Sequence, residues 1–146
     1  MAVEPIIVGI DGSADSVRAL TWAAEYARLV DAPLVGLVAW QLEPVYGYMA
    51  MTNWETAESV EGEAREMLAE TIRTTLGEDA QIEHRSVRGH PAQVLVEASH
   101  DAQLVVVGSR GHGGFTGMLL GSVSQHVVTH ARCAVTVMPH EDQHKK

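Results

Sequence analysis

The chain has 146 residues, 46% of them hydrophobic and 20% charged, with a formal net charge of −9 and one cysteine. That length gives one domain with room for a core, and the composition is ordinary globular chemistry; the acidic balance excludes a nucleic-acid partner, which needs a basic face. Cys133 alone excludes an internal disulfide and suits a reducing compartment, and Glu4 and Asp11 interrupt the N-terminal apolar stretch, so no signal peptide is expected.

No run reaches the roughly 20 apolar residues of a membrane helix. The expectation is a cytoplasmic protein without a membrane or nucleic-acid partner. Residues 1–139 are read as one domain and residues 140–146 as a polar tail.

Ile6–Ile10 is a short β-branched run closed by Asp11-Gly12-Ser13, which reads as a buried strand and a turn. Ser13 or Asp15 can cap the helix that follows. In that helix Val17, Leu20, Ala24 and Ala27 form one apolar stripe, with Ala19, Ala23, Tyr26 and Val30 beside it. Asp31-Ala32-Pro33 stops the helix and Leu34–Trp40 is a second strand. Strand, helix and strand in this order imply a parallel pair and a right-handed crossover.

Residues 41–54, rich in aromatics and methionine, have no period and are long for an α/β connection. They read either as a lid or contact surface, or as a loop folded back on its own helix. Glu55–Leu76 is the longest helix, with Val60, Ala64, Met67 or Leu68, Ile72 and Leu76 on one face. Its acidic residues crowd the N-terminal half and Arg73 lies toward the end, which complements the helix dipole.

Gln81–Val87 carries Glu83, His84 and Arg85 and suits a sheet edge. Gly89-His90-Pro91 then turns into a third helix with Pro91 at its first position and Ala92, Leu95, Val96 and Ala98 on its apolar side. Leu104–Val107 is a continuous apolar run of the kind buried on both faces of a sheet.

The stretch from Gly108 to Ser122 is the most informative in the chain. It runs from the end of that strand through glycine-rich sequence to a helix start, where Val123, Val127 and Ala131 follow at helical spacing. Glycines let bare backbone approach a ligand, and the amides that a helix start leaves unused attract phosphate, helped by the dipole. Ser122 adds a hydroxyl. The plain alternative is a flexible surface loop with a helix cap. The helix to Ala131, a last strand at Ala134–Met138 and the tail from Pro139 complete the chain, with no repeat.

Other chemistries fit less well. A Walker-type loop needs Gly-Lys-Ser/Thr, but no lysine precedes Lys145, and Arg110 is the only full cation in the glycine stretch. Fast hydrolysis needs more charge stabilisation than one arginine and a metal provide. The dinucleotide fingerprint fails because Thr116 stands where a third glycine would follow Gly111 and Gly113, and no G-x-S-x-G elbow is present. His126 and His130 have a zinc-capable spacing, but no H-E-x-x-H pattern accompanies them and the other six histidines are scattered, so they read as a polar helix face. His112 sits inside the loop, where it can contact a ligand.

Gly108, two residues, Gly111, nine residues, then Gly121-Ser122 resembles the nucleotide-binding signature of the universal stress protein family. The phrases Gly-Ser-Arg-Gly, Gly-Gly-Phe and Leu-Leu-Gly-Ser-Val are typical of its single-domain, ATP-binding members. The resemblance runs from Ile6 to Met138, outside the loop after Trp40 and the tail.

It implies a Rossmann-like α/β fold: an open parallel sheet of five strands in the order 3-2-1-4-5, with helices on both faces. It implies ATP, with Mg2+ held by the phosphates. Asp11 would meet ribose or the metal, with Gly9 and Ile10 lending backbone nearby, while Val38 and Ala39 would bind adenine through main-chain groups. Gly108, Arg110, Gly111, His112, Gly121, Ser122 and Val123 would surround ribose and phosphates. It also implies a homodimer through Ala134–Met138, whose edge carries no charge.

Asp11–Ser16 also resembles the loop of the PP-loop adenylating enzymes, but Asp11 replaces the leading serine and would repel pyrophosphate. Three classes of function stay open: a nucleotide-binding regulatory protein with little or no hydrolysis, an enzyme using that nucleotide (a slow ATPase among them), and an interaction module with an empty pocket. Cyclic AMP or another adenine nucleotide is the alternative ligand.

Overall fold

Each apolar run assigned to a strand forms one. The computed structural model describes residues 3–42, 56–110 and 120–141. In chain order the described elements are β1 (Ile6–Gly9), α1 (Ala14–Val30), β2 (Leu34–Trp40), α2 (Ala57–Leu76), β3 (Glu83–Arg88), α3 (Pro91–Ala98), a 3-10 turn (Ser99–Asp101), β4 (Leu104–Gly108), α4 (Ser122–His130) and β5 (Ala134–Met138). The strands make one parallel five-stranded sheet in the order β3-β2-β1-β4-β5.

The register explains why β1 is apolar at consecutive positions. Ile6 lies between Leu34 on β2 and Leu104 on β4, and both faces of the strand are covered. Ile6, Val8, Leu34, Val38, Leu104 and Val106 pack on Leu20 and Ala23 of α1 and Leu68 and Ile72 of α2. The alternate residues Ile7, Val35, Leu37, Val105 and Val107 pack on Val94 and Leu95 of α3 and Val127 of α4. Two helices therefore cover each face. Burying side chains of this size contributes about 1.5–3 kcal/mol each, which holds the central strands in place.

The helix ends follow local chemistry. Ser13 is the N-cap of α1, its hydroxyl accepting a hydrogen bond from Ser16 N at 3.2 Å. Asp31 ends α1 in the left-handed conformation (φ 56°), which turns the chain at once toward β2. Val30, expected on the buried face, is exposed at that last turn, and α1's burial ends with Ala27.

α2 starts at Ala57 rather than Glu55 because Thr56 and Ser59 form a reciprocal capping box. Pro91 opens α3 as expected, with His90 as its cap. Most of the 41–54 segment lies outside the described residues. Among the described residues no helix is long and apolar enough to cross a membrane.

Candidate functional site

β1 and β4 are neighbours, but the chain leaves β1 toward β2 on one side and β4 toward β5 on the other. Their crossovers, α1 and α4, lie on opposite faces, so a crevice opens beyond the carboxyl ends of the two strands. Asp11 marks the tip of β1. Its Oδ1 accepts from Ser13 N at 2.9 Å, a local turn that holds the carboxylate, and Gly12 takes the positive φ of 84° that this turn requires. Ser16 Oγ donates to Ser13 O at 2.9 Å and sits 3.4 Å from Asp11 N, so the whole turn is cross-braced.

The second wall begins where β4 ends. Ser109 N donates to Met138 O on β5 at 2.9 Å, and Ser109 O receives both Gly121 N at 2.6 Å and Ser124 Oγ at 2.7 Å. One buried carbonyl thus ties the two stems of the glycine stretch together. Gly121 is the N-cap of α4 but has no side chain to satisfy the first-turn amides. Helix amides without a side-chain cap are the donors that an anion uses.

Between these walls lies a pocket lined from β1, β2, β4 and the starts of α1, α3 and α4. Its apolar side is Leu37, Ala39, Leu95, Val107 and Val123, all on the α3/α4 face. Its polar side is Asp11, Ser13, Ser16, Arg110 and Ser124. An apolar floor beside a polar rim and a helix start suits a ligand with a flat apolar part and an anionic part.

Of the residues expected at a site, Gly9, Ile10, Asp11, Ala39, Gly108, Arg110 and Val123 line this pocket. Gly121 is buried at the base of the loop. Ser122 is exposed, and Val38 sends its side chain into the core on the other face, leaving only its main chain for a ligand. Gly111 and His112 lie outside the described residues.

Sequence reasoning missed several nearby groups. Ser13 in the β1–α1 turn, Ser16 in the first turn of α1 and Ser124 on α4 line the pocket. Asp15, read only as a possible cap, has a side chain 5% exposed and meets Ser109, Arg110 and His140. A charged residue one position inside a helix gave no sequence signal for that role. His126 and His130 stand on α4 with ring centroids 4.4 Å apart, and among the described residues no group of three or more potential metal ligands converges.

Comparison with known proteins agrees with this architecture. The model of the universal stress protein family matches residues 2–139. A universal stress protein of Mycobacterium tuberculosis is 39% identical over 135 residues, covering 91% of this chain and 44% of that protein. The chain thus spans less than half the length of such curated relatives.

Among solved structures, a universal stress protein of Lactobacillus plantarum is similar with a TM-score of 0.75 at 21% identity, over 94% of this chain and 99% of that one. A universal stress protein solved in complex with cAMP has a TM-score of 0.57 at 28% identity, over 94% of this chain and 98% of that one. The matched span covers every strand and every helix described above, and the chain belongs to the universal stress protein family.

Proposed function

We propose that the chain binds an adenine nucleotide at the crevice between β1 and β4, and that it acts as a regulatory protein in a stress response. The observation that carries this is the Ser109 carbonyl. By joining the stems of the glycine stretch it holds the start of α4, whose N-cap is a glycine and whose Val123 and Ser124 line the pocket, beside the apolar side chains Leu37, Ala39 and Leu95. The structural neighbour bound to cAMP, at 28% identity, supports an adenine nucleotide as the ligand class.

In this reading adenine lies over Leu37 and Ala39, contacting main chain near Val38 and Ala39. The phosphates meet the Gly108–Ser122 stretch, with Gly111 and His112 on its course. ATP is the preferred ligand. Asp11 is the only carboxylate among the described lining residues, which suits Mg2+ that keeps water and phosphate oxygens as its other ligands. One carboxylate and one arginine give little stabilisation to a transferring phosphoryl group, so hydrolysis is slow or absent. cAMP is the second reading of the ligand, carried by the same neighbour.

The functional unit is a homodimer through β5. That strand is a sheet edge, its residues Val135–Met138 are half-buried, and it carries no charge to discourage pairing. Mass spectrometry of the small molecules released by denaturing freshly purified protein tests the ligand. An adenine nucleotide, ATP foremost, is expected; its absence, together with no saturable binding of added ATP or cAMP, would overturn the reading.

A further inference from the structure

The chain leaving β5 is fastened to the start of the glycine stretch through one buried carboxylate. His140 Nδ1 lies 2.9 Å from Asp15 Oδ2 and 3.1 Å from Oδ1, close enough to donate its proton. The same Oδ2 accepts from Arg110 N at 3.3 Å and lies 3.4 Å from Ser109 Oγ. Arg18, one turn along α1, stands 3.7 Å from Oδ1, donates to Pro139 O and lies 3.8 Å from Glu141. Met138 O, just before this segment, receives Ser109 N. Residues 138–141 thus touch the loop directly and again through Asp15.

A carboxylate that is 5% exposed beside an anion-binding loop is electrostatically awkward. Left without donors, it would repel phosphate and turn away from Arg110 N. Arg18 offsets its charge, and His140, as a donor from Nδ1, fixes its orientation. We infer that Asp15 is the positioning residue of the phosphate loop and that His140 is the latch that holds it, so that seating of the 139–141 segment is coupled to phosphate binding.

This inference rests on the nucleotide reading above and adds a means of regulation to it. Coupling of this kind is reciprocal: whatever lifts the segment from Asp15 weakens phosphate binding, and bound phosphate holds the segment down. Because His140 follows directly on β5 and Pro139, any partner chain that docks along the β5 edge works next to this latch.

The test uses the full chain in three forms, wild type, His140→Ala and His140→Asn, each titrated with ATP and with adenosine by calorimetry, with thermal melts to confirm folding. His140→Ala should weaken ATP about two- to tenfold, the size expected for one lost polar contact, and change adenosine by less than about twofold. Asn carries an N–H donor at a similar position, so His140→Asn should restore ATP binding to within about twofold of wild type.

ATP binding by His140→Ala equal to wild type, equal losses for ATP and adenosine, or His140→Asn as weak as His140→Ala would overturn the latch. Wild-type protein that binds neither ligand would instead overturn the nucleotide reading, and the latch with it.

Discussion

A methyl group added at Gly108 would lie 2.7 Å from Asp15 Cβ and 3.0 Å from the Asp15 carbonyl carbon. The tip of β4 and the first turn of α1 therefore meet backbone against side chain, and only glycine permits it. Gly108→Ala should cost about 1–3 kcal/mol of stability through overpacking. Gly62, in the second turn of α2 with nothing within 4 Å of its added methyl, is the control: Gly62→Ala should stabilise by roughly 0.5–1 kcal/mol. Urea unfolding of both variants checks the signs, and a neutral Gly108→Ala would contradict the close approach.

Asp11 and Ser122 should differ in their importance to the ligand. Ser122 is exposed at the first position of α4 and offers one neutral hydroxyl, so Ser122→Ala should cost about 0.5–1.5 kcal/mol of ATP affinity at most. Asp11 lines the pocket and would meet ribose or metal, so Asp11→Ala should cost more. Calorimetry gives the order directly. If Ser122→Ala proved the more damaging change, the role of Asp11 would be wrong.

The β5 edge has a backbone test. Met138 O points to β4, because it receives Ser109 N, and alternate residues along a strand direct their backbone groups to opposite edges. The N–H of Val137 therefore points to the open side. Val137→Pro removes a donor there while leaving the ladder with β4 intact. The wild type should sediment as a dimer at micromolar concentration, and Val137→Pro should dissociate at roughly tenfold or more higher concentration. A wild-type monomer under those conditions would place the interface elsewhere or nowhere.

Burial pushes the Cys133 thiol up from its ordinary value, against a smaller opposing effect of a hydrogen bond with the Val105 backbone. A raised thiol stays protonated at neutral pH and the thiolate is the reactive form. Alkylation by iodoacetamide should lag a free thiol at pH 7 and keep rising through about pH 9. Fast modification at neutral pH with an early plateau would show that the thiol is not held in this way.

The strands were legible because burial on both faces demands consecutive apolar residues, as in Ile6-Ile7-Val8 and Leu104–Val107. The stop of α1 at Asp31 and the start of α3 at Pro91 were legible because φ preference and the missing N–H act within a residue or two. The Gly108–Ser122 stretch stood out for the same local reason, as glycines between an apolar run and a helix start.

What was not legible depends on strand order. The pairing of Asp15 with His140 spans 125 positions and exists only because β5 lies beside β4 and delivers the chain end to α1. Neither residue has a pattern around it. Ser109 looked like one more loop serine, yet it is 2% exposed and holds both stems. Val38 shows the limit of spacing along a strand: its neighbour Ala39 lines the pocket while its own side chain faces the other core.

The most direct test of nucleotide binding at this loop is calorimetric titration of ATP into wild-type protein and Gly121→Val. Gly121 has φ −74° and ψ 171°, a conformation open to valine, so the substitution changes the space beside the loop rather than the backbone it needs. The expected result is saturable binding of one nucleotide per wild-type chain and none to Gly121→Val, with superimposable circular dichroism. Equal affinity in two folded proteins, or no binding by either, would contradict a phosphate site at the start of α4.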